Sequence, residues 1–244
     1  MYVSTKDWRA FVSKLSRINT AAADAVKKWV AQNGFANTNA LIAYAYEVAD
    51  YYGTASASLA ALMYDSISEL EQTMYPPAEL APNPSYEDIA EAVNGTLKTS
   101  QNANMIGSAV GRLVKRTGQD TLLNNAVRDG AQWAWIPSGD TCAFCITLAS
   151  RGWQRASASA LKGGHAEHIH ANCDCTYMIR HSDSLNVRGY DPDAYKRMYY
   201  DAPGGSSRSK INAMRRQMYK EHKDEINAQK REAYAMREHP ETET

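Results

Sequence analysis

Gly139-Asp-Thr-Cys-Ala-Phe-Cys145 and, after a spacer, His168-Ile-His-Ala-Asn-Cys-Asp-Cys175 hold all four cysteines of this 244-residue chain, and their reading decides how the molecule is divided. Four of the six histidines, His165, His168, His170 and His181, lie within or just after the same stretch. Two close cysteine pairs, with His170 three residues ahead of the second, offer thiolate and imidazole donors from two backbone turns. That donor set suits a tetrahedral zinc ion closed to solvent. Five donors, Cys142, Cys145, His170, Cys173 and Cys175, stand for four places. The two-residue gap of Cys142 and Cys145 lets both sulfurs turn toward one ion. The one-residue gap of Cys173 and Cys175 is less common for a double ligand, so that either of that pair gives way to His170 as the fourth donor. In a reducing cytosol, clustered cysteines are better explained by metal or thiols than by disulfides. A bridge between Cys173 and Cys175 is also badly strained.

Upstream, residues from about Ser4 to Met74 are rich in alanine, poor in glycine and proline, and carry apolar residues at helical intervals, such as Trp8, Phe11, Val12, Leu15 and Ile18. This pattern predicts long helices. Asn33-Gly34 closes the first, Asn37 or Thr38 caps the next, and the second runs to about Met74. Tyr44, Tyr51, Tyr52 and Tyr64 recur along it and are read as packing residues. The segment from Tyr75 to Pro84 concentrates four of the eight prolines and is a linker or a long ordered loop. Ser85 and Asp88 form a capping box that opens a helix through about Leu97. A further helix spans about Asn102 to Gly130, and Gly118 interrupts its pattern enough to suggest two helices.

From Gln132 the composition changes to tryptophans, paired glycines and cysteines with little helical period. Trp-Ala-Trp-Ile-Pro before the first cysteine pair and Cys-Thr-Tyr-Met-Ile-Arg after the last have the character of short strands that pair with each other. Trp133, Trp135 and Trp153 are read as core. Residues 185–205 are turn-rich, punctuated by Arg188-Gly189, Asp191-Pro192 and Pro203-Gly204-Gly205. The last segment is a basic helix with a thin apolar stripe of Ile211, Met214, Met218, Ile226 and Ala233.

The chain is therefore mainly α. A helical N-terminal region covers residues 1–130, with its proline-rich loop at 75–84. A small zinc-stapled α+β domain covers 131–185, and a turn-rich linker with a basic helical tail covers 186–244. Twenty-seven basic side chains against 27 acidic ones leave no overall field to draw the molecule onto nucleic acid or anionic lipid, so any such contact is local. No apolar run approaches the roughly 20 residues of a bilayer helix, and the first residues lack a secretion signal, which predicts a soluble protein with no membrane partner.

Pro-Ser-Gly-Asp-Thr-Cys-Ala-Phe-Cys-Ile-Thr-Leu-Ala-Ser-Arg-Gly-Trp, a spacer and then His-Ala-Asn-Cys-Asp-Cys resembles the signature of minor head proteins of tailed bacteriophages, the MuF-type head-morphogenesis family. Trp135, Pro137, Cys142, Cys145, Leu148, Ala149, Ser150, Arg151, Gly152, His170, Cys173 and Cys175 carry the resemblance in order. The chain departs from the pattern in the extra spacer histidines His165 and His168 and in Ala171, where proline is frequent. The resemblance implies a virion component inside the head, assembled in the host cytoplasm, that binds the portal or major capsid protein and acts in head assembly or genome delivery. Inside a DNA-filled head the basic tail also becomes a candidate contact for packaged DNA.

Two enzyme readings compete with this. His165-Ala-Glu167 beside a Cys-x-x-Cys is similar to the zinc deaminases, but there the His-x-Glu precedes the cysteine pair. The histidine run is similar to the histidine-metal (HNH-like) nucleases, but no downstream Asn-x-His helix follows. No Gly-x-Ser-x-Gly elbow, phosphate loop or paired-carboxylate motif is present. The expected zinc is structural and the expected protein is not an enzyme.

Overall fold

The computed structural model describes residues 1–138, 141–161, 175–224 and 227. The chain forms two compact units. The first joins Met1–Gly139 to Arg151–Tyr190, and the second joins Asp140–Ser150 to Asp191–Thr244.

Four helices build most of the first unit: α1 (Thr5–Asn33), α2 (Thr38–Leu70), α3 (Tyr86–Thr99) and α4 (Ala103–Arg128). Their ends follow local chemistry. Ser4 accepts from the Asp7 amide to start α1, and Gly34, at φ 69°, ends it. Asn37 caps α2 through the Ala40 amide, and Ser85 with Asp88 makes the full capping box of α3. Along the inner faces, Ala22, Val26 and Val30 meet Leu41, Ile42, Ala45, Val48 and Ala49, then Ile89 and Val93, then Ile106, Val110 and Val114.

Three expectations need correction. The second helix stops at Leu70, because Gln72 takes a positive φ of 54° and breaks the repeat. Gly118 does not divide α4, which is continuous. A Cβ there would lie 2.5 Å from Ser56 Oγ, so this glycine is present to let α4 approach α2. Gly107 and Gly111 do the same against α1, where a Cβ would come within 2.5 Å of the Ala23 carbonyl oxygen and 2.9 Å of that of Asn19. Among the tyrosines, Tyr64 is fully buried and Tyr44 and Tyr52 pack on the core, but Tyr51 stands 72% exposed, edge-on to its neighbour Tyr52.

The proline-rich segment is an ordered strap. The Glu79 amide donates to Asn125 Oδ1 at 2.9 Å, and Asn125 Nδ2 returns a bond to the Glu79 carbonyl at 2.8 Å. Arg128 donates to the carbonyls of Pro76 and Pro77, and the Ala81 amide donates to Thr121 Oγ1. Prolines cannot offer amides to a ladder, so polar side chains take up several of the strap's backbone groups, those of α4 above and Asp65 of α2, which accepts from the Ala78 amide.

The expected strand pairing is present. β2 (Gln132–Ile136) runs antiparallel to β4 (Thr176–Arg180), with Trp133 opposite Ile179 and Trp135 opposite Tyr177. β3 (Gln154–Arg155) pairs on the other edge of β2. One face of the sheet places Ala134, Ile136 and Met178 against Trp8, Val12 and Ile67. The other stacks Trp133 and Trp135 edge-on to Tyr177, at ring separations of 4.9 and 4.8 Å. α6 (Ala158–Leu161) follows β3, and β1 (Tyr2–Val3) pairs parallel to β5 (Asn186–Val187).

The second unit is α5 (Ala143–Ala149), α7 (Pro192–Asp201) and α8 (Ser207–Glu221) around a small core of Ala143, Ile146, Ala202 and Met214. Asp191-Pro192, read as a turn, instead opens α7. Asp191 accepts from the Asp193 and Ala194 amides, and Pro192 takes the first helical position. Lys210 Nζ reaches back to the carbonyls of Tyr199, Tyr200 and Ala202, closing the end of α7. In α8 the expected stripe of Ile211, Met214 and Met218 packs inward; Ile226 and Ala233 lie outside the described residues.

Candidate functional site

Of the five expected metal donors, Cys142, Cys145 and Cys175 are described, while His170 and Cys173 lie outside the described residues, as do His165 and His168. Cys142 is the N-cap residue of α5, in extended backbone at ψ 160°, and Cys145 is its third helical residue. These two positions are the pair that a capping box brings face to face. Cys142 is half-buried and Cys145 buried. Cys175, also buried, immediately precedes β4. The first two cysteines belong to the second unit and Cys175 to the first. Among the described residues, no three metal-ligating side chains gather at one point.

His181 follows β4 and belongs to a polar node of the first unit that sequence pattern does not foretell. Its Nε2 lies 3.0 Å from Ser68 Oγ, and its ring stacks on Tyr75 at 4.6 Å. Glu71 accepts from the His181 and Ser182 amides at 2.6 and 2.9 Å, joining the end of α2 to the end of β4. Beside it, Tyr64 donates to Asp129 Oδ2 at 2.7 Å, and Arg128 binds both oxygens of the same carboxylate at 2.8 Å.

The charges in this node follow from burial and pairing. Burial raises the Asp129 pKa, but the bonds from Arg128 and Tyr64 outweigh it and hold the carboxyl below its usual range. Burial, then the bond to Asp129, pushes the Tyr64 phenol well up, so the hydroxyl stays protonated and donates. Burial lowers His181, and the pull of Glu71 and Asp129 only partly offsets it. Among the described residues, nothing bonds His181 Nδ1. Ser68 and His181 are a hydroxyl and an imidazole within bonding distance, yet no carboxylate orients the ring through Nδ1, as a nucleophilic triad requires. The node is a joint between α2, α4 and β4.

Two surface features remain. An apolar groove between α1 and α2 is lined by Trp8, Phe11, Leu59, Leu62, Met63 and Leu70. On and just beyond α8, Arg215, Arg216, Tyr219, Lys220 and Lys223 line a trough of about 390 Å³. Among the described residues, no helix is long and apolar enough to cross a membrane.

The model of one protein family, described as VG15 protein, matches residues 2–202. The match takes in most of the chain, including the cysteine stretch, the whole helical region and α7, and ends before α8. No curated protein and no solved structure matches the chain.

Proposed function

The chain belongs to the phage-associated VG15 family, and from that premise we propose that it is a minor head protein of the MuF head-morphogenesis type. It sits inside the virion head, having been assembled in the host cytoplasm, and associates with the portal protein, the major capsid protein or both. Its role is in head assembly or genome delivery and is architectural, not enzymatic.

The family match over residues 2–202 carries this reading, because it joins the helical region and the cysteine stretch in one phage-associated unit. The order of Trp135, Pro137, Cys142, Cys145, Arg151, Gly152, His170, Cys173 and Cys175 supports the finer assignment. A structural zinc ion, held by four of Cys142, Cys145, His170, Cys173 and Cys175, staples the cysteine stretch. The placement of Cys142 and Cys145 at the first turn of α5 fits a pair of thiolate ligands. Metal of this kind contributes folding free energy and supplies no reactive water when all four positions are filled by protein.

The test is composition of the particle. Purified DNA-filled heads, analysed by quantitative mass spectrometry, should contain the protein at a few copies per portal ring, and it should co-purify with portal protein on co-expression. Its absence from heads, with no retention on portal or capsid protein, would overturn the proposal. Nicking of plasmid DNA in added magnesium, abolished by His168→Ala, would replace it with the nuclease reading.

A further inference from the structure

α8 concentrates charge in a molecule that has none overall. Ser207–Glu221 holds Arg208, Lys210, Arg215, Arg216 and Lys220 against the single acid Glu221, and beyond it come His222, Lys223 and the acids Asp224 and Glu225. These cations divide by the helix's own geometry. Lys210 is spent on the carbonyls that end α7. At about 100° per residue, Arg208, Arg215, Arg216 and Lys220 share one sector of about 140°, turned away from Ile211, Met214 and Met218, and Lys223, past the C-cap residue His222, lines the same trough as Arg215, Arg216 and Lys220. All five are exposed. Among the described residues, none of the five makes an ion pair. Glu221 lies outside the sector and accepts from Gln217 at 3.0 Å.

Five cations gathered on one face, with no ion pair among the described residues, repel one another, so the face costs the isolated fold free energy. A partner with regularly spaced negative charge removes that cost. We propose that this face of α8 is a docking surface for the phosphate backbone of duplex DNA.

The chemistry of the face favours that partner. From Arg208 to Lys220 the rod spans about 18 Å, and a duplex carries one charge per roughly 1.7 Å of its axis, so the rod meets phosphates at any register. An anionic membrane would need an apolar stripe to bury, and the stripe of α8 already packs against α5 and α7. Single strands bind through several stacking platforms, and Tyr219 is the single aromatic side chain of the sector. Phosphate contacts position a protein without reading sequence, so the binding is sequence-independent. The helix lies beyond the residues that the family model matches. The inference stands on charge geometry and does not depend on the head-protein reading.

The experiment uses the full chain with a labelled random-sequence duplex of about 30 base pairs, read by fluorescence anisotropy across a salt series. Five phosphate contacts give a slope of log affinity against log salt of about −4.5. Combining Arg215→Gln, Arg216→Gln, Lys220→Gln and Lys223→Gln should cut the slope to about −1 and weaken binding at low salt by at least about 100-fold, with the circular dichroism spectrum unchanged. Lys14→Gln, in the first unit, should leave the curve where it is. Equal binding by the fourfold variant overturns the proposal, as does absence of duplex binding by the unmodified chain. So does tighter binding to polyglutamate, to phosphatidylserine vesicles or to a single strand of the same length.

Discussion

The two units of this protein achieve order by different means. In the first, 13 buried apolar side chains from four helices form one cluster, and three glycines let α4 lie backbone-close to its neighbours. In the second, among the described residues, Ala143, Ile146, Ala202 and Met214 form a smaller buried cluster with Tyr195, Tyr199, Ile211 and Met218 packed against it, and half of the buried four come from the seven-residue α5. Apolar burial grows with size, and a buried cluster of two alanines, an isoleucine and a methionine is a small one to hold the described helices of this unit. The first unit is therefore expected to hold by packing, and the second by whatever fixes α5. Under the zinc proposal, Cys142 and Cys145, at the start of that helix, would do so.

The largest effect expected follows from this contrast. With the cysteines as metal ligands, Cys142→Ser or exhaustive chelation should remove the ion together with on the order of 10 kcal/mol of folding free energy. α5 should then loosen, carrying Ala143 and Ile146 out of the second core. Limited proteolysis would show new cuts within 140–150 and 191–224, while the circular dichroism of the long helices persists. A variant with wild-type cleavage and undiminished zinc by elemental analysis would mean that the second unit does not lean on a staple.

The converse blow falls on the first unit. In Gly107→Val the new Cβ would meet the Ala23 carbonyl oxygen at 2.5 Å, and backbone cannot step aside as a side-chain tip can. α1 and α4 must separate, at a cost of about 3 kcal/mol or more. Chemical denaturation should show a lowered midpoint with the zinc content unchanged. A smaller loss, about 1–2 kcal/mol, is expected of Asn125→Ala, which removes the two hydrogen bonds between the Glu79 backbone of the strap and α4. Protease cleavage within residues 76–83 should rise before global stability moves, since only the strap is released.

Legibility in the sequence divides along similar lines. Features set by neighbours a few residues apart could be read directly: the Ser85 box, the Asn33-Gly34 stop, and the two apolar runs that became β2 and β4. Asp191-Pro192 was equally local but ambiguous, because an N-cap followed by proline at the first helical position has the composition of a turn. Gly118 misled for a different reason. A glycine chosen for close helix approach is identical, in one dimension, to a glycine that breaks a helix. The pairing of residues 2–3 with 186–187 and the joint of Tyr64, Asp129 and His181 carry no local signal, since their partners are brought together only by the fold. At the candidate metal site, spacing pairs Cys142 with Cys145, and in the structure they are the N-cap and third residue of α5. His170 and Cys173 fall outside the described residues.

The joint at His181 sharpens the comparison through pH. Its folded pKa lies below the ordinary histidine value, so between the two values the unfolded chain binds more protons than the folded one. The stability that neutral His181 contributes is thus fully present above the unfolded pKa. It is lost as pH falls through that value toward the depressed folded one. His181→Gln, which keeps a polar partner for Ser68, should flatten this acid limb in urea melts of the first unit. An unchanged limb would place the sensitivity elsewhere.

The smallest effect expected has the opposite sign. Gly95 lies within α3, where nothing comes within 4 Å of an added Cβ. Unlike Gly107, Gly111 and Gly118, it gives no neighbour room and only adds backbone freedom to the unfolded chain. Gly95→Ala should therefore raise stability by about 0.5–1 kcal/mol, visible as a small rise in Tm. Set beside Gly107→Val, it separates two uses of one residue: at Gly95 the missing side chain is a net cost, and at Gly107 it is the condition for two helices to touch. A loss of stability in Gly95→Ala would mean that α3 is packed more closely than its open face implies.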